Sequence, residues 1–282
     1  MVNVEFELRT AGYCKQIEKI TNNQKPFHSI AFPAHFAIIR HPEKGIILVD
    51  TGYSEHFLQA TTPFPYSIYA RVTPVIFDLQ QSAKKQLESE GIEAADVSYI
   101  IITHFHADHI SGLKDFPNAQ FICLSKGYHY VREKTGIRAL LAGFVPMLLP
   151  EDFHKRTIFL EDGSHAQQEV VENTSLNILN QTVYDVFADR SILAVELPGH
   201  ARGQIGLLIQ SQNQQYFIIA DAVWDSDAFR YHQLANPIAG VILDNSEDYR
   251  QTVQKLHTFY LQNKEVKMIP LHCREWERGD TL

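Results

Sequence analysis

Residues 97–102 form an almost wholly apolar run that breaks directly into Thr103-His104-Phe105-His106-Ala107-Asp108-His109. A short apolar run of this kind fits a strand buried inside a sheet. Side chains two apart on an extended chain point the same way, so His104 and His106 face one point. The Asp108-His109 pair that follows can turn toward a second point a few ångström away. Any fold for this chain must therefore bury the strand and leave its C-terminal end open to imidazoles and carboxylates. The run reads as a metal-binding loop.

With 282 residues, 45% of them hydrophobic, the chain can bury one large core, and a single domain over 1–282 is expected. Its 25 basic and 33 acidic residues leave a net charge of -8, which disfavours attraction to phosphate backbones; nucleic acid is not an expected partner. Residues 1–20 alternate polar and apolar positions (Val4, Phe6, Leu8) and lack the continuous apolar core of a secretory signal. No segment is long enough to span a membrane, so no membrane association is expected. Cys14, Cys123 and Cys273 are odd in number and far apart, which argues against a disulfide framework and for a reducing cytoplasm.

Antiparallel strands are expected at 4–8, 36–40 and 45–50, with His41-Pro42-Glu43-Lys44 as the turn between the last two. Leu79, Ala83 and Leu87 at fourfold spacing predict a helix over 78–90, capped by Asp78 with Gln81 and stopped by Gly91. After the 97–102 strand come a strand at 120–124 and a short helix from Ser125. A second group of strands is expected at 191–197, 205–209 and 215–220. An amphipathic helix over 246–262 (Tyr249, Val253, Leu256, Tyr260) then precedes a strand at 266–269. Strands, helix, strand and helix, then the same theme again, suggest two βα halves packed sheet on sheet with helices outside, a four-layer α/β arrangement.

Four further polar residues stand where an apolar strand enters a loop: Asp50, His200, Asp221 and His272. Three His and one carboxylate make a catalytic zinc shell with an open position for water, and seven such ligands make two shells, so two metals are implied. A structural zinc site would favour a closed, cysteine-rich shell instead. The other histidines (His28, His35, His41, His56, His129, His154, His165, His232 and His257) are read as surface or packing residues. Cys273 beside His272 is read as a buried thiol facing away from it.

These segments, in this order and at these intervals, resemble the metallo-β-lactamase superfamily over about residues 30–275. The resemblance implies the αββα sandwich, with His104, His106 and His200 on the first metal, Asp108, His109 and His272 on the second, and Asp221 bridging. Asp50 would stand behind a histidine ligand and orient it. Two divalent ions make hydroxide available at neutral pH and polarise the oxygen under attack. Asp108 is in addition the candidate catalytic residue, accepting or delivering a proton as the intermediate collapses. Zinc is the first expectation for the metal, with iron, manganese and cobalt also compatible with a mixed His/Asp shell.

Within that superfamily the pattern is most similar to the N-acyl homoserine lactonase-like branch. The expected function is a metal-dependent hydrolase acting on a small ester or lactone, N-acyl homoserine lactones included. Phosphoester or phosphotriester hydrolysis is the nearest enzymatic alternative, and a metal-stabilised binding or scaffold protein without turnover is the alternative of another class. Lactonases of that branch commonly carry a tyrosine three residues after the bridging aspartate; Trp224 stands there, and an indole has one N–H to donate and no proton to exchange. An apolar insert near 125–165, most apolar at 139–150, either walls the active site or packs on another subunit of a homodimer. The stretch 61–74 is read as part of the same lid or as an interface arm.

Overall fold

The computed structural model describes residues 2–162, 169–170 and 174–277; His165 and the end of the 125–165 insert lie outside them. Among the described residues, the first sheet comprises β1 (Glu5–Ile17), β2 (Ser29–His41), β3 (Gly45–Val49), β4 (Val75–Ile76), β5 (Val97–Ile101), β6 (Gln120–Cys123) and β7 (Thr157–Phe159). Its spatial order is β4-β1-β2-β3-β5-β6-β7. The second comprises β8 (Glu169–Val170), β9 (Val183–Asp185), β10 (Ile192–Glu196), β11 (Ile205–Ser211), β12 (Gln214–Ala220) and β13 (Lys267–Pro270), in the order β13-β12-β11-β10-β9-β8. Both sheets are mixed: β3, β5, β6 and β7 run parallel, as do β12 and β13, while the remaining pairings are antiparallel.

Alternation along the strands produces the layers. Ala37 and Ile39 of β2, Ile47 and Val49 of β3, and Ile101 of β5 pack between the sheets against Ile192, Ala194, Leu207, Ile209 and Ile218. Their neighbours Phe36, Ile38, Leu48 and Ile100 point the other way, to a layer shared with Ala83, Leu87, Ile110 and Val131. On the far side Val195, Leu208, Phe217 and Ile219 meet the helices Ser226–Arg230 and Ser246–Gln262 through Phe229, Val253, Leu256 and Phe259. Helix, sheet, sheet and helix make the αββα sandwich. Each buried aliphatic or aromatic side chain contributes about 1.5–3 kcal/mol. Three such layers offset the cost of burying polar residues at the strand ends.

The expected helix over 78–90 is interrupted. Asp78 and Gln81 do form their capping box, but around a single turn, Leu79–Gln81. Ser82 then takes an extended conformation and caps a second helix, Ala83–Ser89, by accepting from Lys85 N. A side-chain oxygen that offers the backbone a local acceptor restarts a helix in this way. Gly91 ends it at φ +78°, as expected. Strand β1 runs nine residues past the expected end, because a register shift between Thr10 and Tyr13 lets it continue beyond Gly12 along β2. Helix Ser246–Gln262 has the expected bounds. Among the described residues no helix is long and apolar enough to cross a membrane.

Candidate metal centre

Strand β5 stops at Ile101, so the His104–His109 run lies in the loop and short helix (Ala107–Ile110) that follow. Alternation persists through that loop: Phe105 points into the apolar layer while His104 and His106 turn together, ring centroids 4.5 Å apart. The loop after β10 brings His200, the end of β12 brings Asp221, and the turn after β13 brings His272. All seven residues are buried or nearly so. Their ligand atoms fall into three overlapping groups, each within 4.8 Å: His104, His106 and His200; His104, His109 and Asp221; Asp108, His109 and His272.

Two of the strand ends are bent by residues at positive φ, Asp50 at 57° and Ala220 at 47°. Aspartate tolerates this region, whereas alanine there costs about 1 kcal/mol. Ala220 turns the chain so that Asp221 faces the other sheet's loops rather than continuing along β12. Two glycines permit close approach. A Cβ on Gly143 would lie 2.4 Å from the His106 ring, and one on Gly199 would lie 2.3 Å from Tyr249 backbone, so neither position accepts a side chain without displacing the histidine loops.

Hydrogen bonds fix which ring nitrogen faces inward. His109 Nδ1 donates to Asp50 Oδ2 at 2.7 Å, leaving Nε2 for the centre. Asp50 also accepts from Thr103 N at 2.8 Å and Thr103 Oγ1 at 2.6 Å, so it holds the loop and the histidine together, as anticipated. His272 Nδ1 donates to the Pro33 carbonyl at 2.6 Å and turns its Nε2 to Asp108 (3.3 Å) and Asp221 (3.2 Å). His200 Nε2 and His106 Nδ1 lie 2.9 Å apart. Among the described residues His104 Nε2, His109 Nε2 and Asp221 Oδ1 are buried with no hydrogen-bond partner. Buried polar atoms are rarely left so, and three of them converging with four further His and Asp donors fit divalent cations.

Charge is unevenly shared between the two ends of the site. Burial pushes His104 well below its usual range, His106 down to about 4 and His200 down to about 3, so these rings are neutral and ready to ligate at pH 7. Burial opposes charge on His109 too, but Asp221, Asp108 and Asp50 outweigh it and raise the ring to about 10. His272 is raised well above its usual range, against burial, by Asp221 and Asp108. Burial alone would raise Asp108, yet His109 and His272 hold it down to about 2. Without metal, then, His109 and His272 are protonated at neutral pH and must each surrender a proton to become ligands. Metal affinity is accordingly expected to rise with pH below about 10, with close to two protons released on loading. Calorimetry in buffers of different ionisation enthalpy measures that number, and a value of zero would refute this charge assignment.

Sequence pattern does not single out Thr103, which bonds Asp50 and lies 3.1 Å from His104 Nδ1, the Pro33 carbonyl that holds His272, or Gly143, which packs against the His106 ring. Cys273 is buried as expected, but in the turn after β13, where Sγ lies 3.4 Å from Ser226 Oγ. Of the other histidines within the described residues, His35 and His41 are packing residues. His35 bridges Thr10 Oγ1 and the Cys273 carbonyl, and His41 binds Asp189.

Residues 31–256 match the Metallo-beta-lactamase superfamily. The chain belongs to that superfamily. Among the superfamily's curated members it is similar to the N-acyl homoserine lactonase AttM of Rhizobium radiobacter, 25% identical over 277 residues, covering 96% of this chain and 94% of that one. The AttM of Azorhizobium caulinodans is 26% identical over 92% of this chain and 89% of its own. Among solved metallo-beta-lactamase folds, an N-acyl homoserine lactone hydrolase with N-hexanoyl-L-homoserine bound at its catalytic metal centre superposes with a TM-score of 0.72 at 19% identity, covering 99% of this chain and 96% of that one. AidC, a dizinc quorum-quenching lactonase, gives 0.64 at 16% identity, covering 97% and 87%.

A cavity of about 110 Å³ opens beside the first histidine group. His106 and His200 line it together with Leu141, Ala142, Ile242 and Leu243. At its mouth the Arg202 guanidinium is paired with Asp244 and lies 4.4 Å from the Tyr130 ring centroid. The 139–150 segment is only partly exposed: Ala139, Phe144, Val145 and Leu148 anchor it in the core, and Leu141 stands 71% exposed above the cavity. Stretch 61–74 touches the insert through Tyr66, whose hydroxyl accepts from Gly136 N at 2.9 Å.

Proposed function

We propose that this protein is a dinuclear metal-dependent hydrolase, zinc the first candidate, acting on a small ester or lactone with an apolar acyl or aryl part, N-acyl homoserine lactones among them. The observation that carries the reading is the set of three overlapping His/Asp groups with unpartnered inward atoms, in a chain of this superfamily. His104, His106 and His200 would hold one ion, Asp108, His109 and His272 the other, with Asp221 between them. Bound there, the ions would supply a water-derived nucleophile near neutral pH and polarise the carbonyl.

The chain's own groups do the rest. Asp50 and the Pro33 carbonyl fix the tautomers of His109 and His272, so neither ring reorganises when substrate arrives. Leu141, Ala142, Ile242 and Leu243 offer an apolar wall to the acyl part and displace water from it. Arg202 is neutralised by Asp244, so the mouth makes no demand for an anionic substrate. The 139–150 insert thus serves as a pocket wall, and the whole of 1–282 as one catalytic unit.

The test is a panel of lactones, aryl esters and phosphotriesters, run on metal-analysed protein and on protein stripped by chelator. Turnover of lactones or esters that disappears on stripping and returns with two equivalents of metal is the expected result. Turnover restricted to phosphotriesters would move the assignment to phosphorus chemistry. Two bound metals with no turnover on any substrate would refute an enzymatic role.

A further inference from the structure

We infer that Trp224 is a positioning residue of the metal centre: its indole N–H pins Asp221 Oδ2 beside His272 and His200, so that Oδ1 is turned to His109. This rests on the dinuclear reading above, in which Asp221 is shared between the ions.

The indole donates from Nε1 to Asp221 Oδ2 at 3.1 Å. An aspartate carboxylate turns readily about its last bond, because that torsion is broad and two-fold. A single directional donor breaks the symmetry. Oδ2, held by Trp224, lies 3.2 Å from His272 Nε2 and 3.5 Å from His200 Nε2. Oδ1 is left without a hydrogen bond, buried, and 3.4 Å from His109 Nε2. The ring itself is fixed from both sides: it stands edge-on to His200, centroids 5.2 Å apart at 87°, and leans on Tyr249 at 6.2 Å. At 5% exposure the ring is buried against these two neighbours.

The same side chain therefore touches a member of the first histidine group and the carboxylate that would link both ions. Its one N–H is spent inside the centre, and an indole has no second donor to offer a substrate oxygen. Trp224 acts through Asp221. Any proton the leaving group needs must come from elsewhere in the site.

The experiment is a zinc titration of chelator-stripped protein against a chromophoric competitor, comparing wild type, Trp224→Phe, and a protein carrying benzothienylalanine at 224, which keeps the ring volume and lacks the N–H. Both replacements are expected to lower the affinity of the weaker equivalent 10- to 100-fold, the usual loss when a ligand's outer partner is removed. Both should also alter the absorption bands of the cobalt-loaded form. Wild-type affinity for both equivalents in both replacements would overturn the proposal, as would a change confined to KM, which would make the indole a substrate contact. The benzothienylalanine protein keeps the test decisive if Trp224→Phe misfolds. If wild type takes up only one equivalent, the dinuclear reading falls separately. The effect is then read on that equivalent, and its absence overturns the role of Trp224.

Discussion

Replacing His106 with alanine is expected to remove one equivalent of bound metal and to lower kcat/KM about a thousandfold or more. The imidazole is one of three that make up the first group, its Nδ1 2.9 Å from His200 Nε2, and no spare His or Cys lies in that group to take its place. Losing one of the three imidazoles would leave an ion there without its fixed geometry. The Lewis-acid contribution of a bound ion, several kcal/mol at the transition state, goes with it, and each 1.36 kcal/mol is tenfold in rate. The fold should survive, because His106 sits in a loop between β5 and the helix Ala107–Ile110, and its removal opens space beside Gly143 rather than in an apolar layer. Metal analysis, a melting curve and the substrate panel check this together. Partial recovery of both metal and rate with added imidazole is expected, since the small molecule can occupy the vacated space. Unchanged activity with unchanged metal content would refute the mechanism.

Much of this His/Asp cluster was legible in the sequence because its side chains obey local rules. Each follows an apolar strand, and the alternation that hides Phe105 exposes His104 and His106. What the sequence could not disclose is long-range. Pro33 reaches His272 across 239 positions, and Gly143 reaches His106 from an insert whose apolar character suggested either a wall or an interface. No periodicity encodes such contacts, because they depend on where two independent loops end. The role of Asp50 was inferred from resemblance. Its physical basis, three hydrogen bonds accepted by one carboxylate at positive φ, is visible only in three dimensions. The interrupted helix near Ser82 shows the opposite failure. Both capping signals were in the sequence, and reading the first alone merged two elements into one.

Asp108 has two candidate roles, metal ligand and proton carrier, and Asp108→Asn separates them. Its Oδ2 lies 3.3 Å from His272 Nε2 and Oδ1 lies 3.9 Å from His109 Nε2, so it belongs to the second group. It is also the most exposed carboxylate of the set, at 9%, and so the one best able to meet a leaving oxygen. A carboxylate in that place can accept a proton from the attacking water and pass it to the leaving oxygen. An amide of the same shape keeps one oxygen for a metal but cannot carry that proton. Metal-saturated Asp108→Asn is therefore expected to lose kcat about 10²- to 10⁴-fold on lactones and alkyl esters, whose alkoxide leaving groups require protonation. On 4-nitrophenyl esters the loss should be much smaller, because that leaving group departs as the anion. Equal losses on both substrate types would assign Asp108 to metal binding alone. Full activity on both, with two metals retained, would remove it from the reaction and leave the proton to be carried by water.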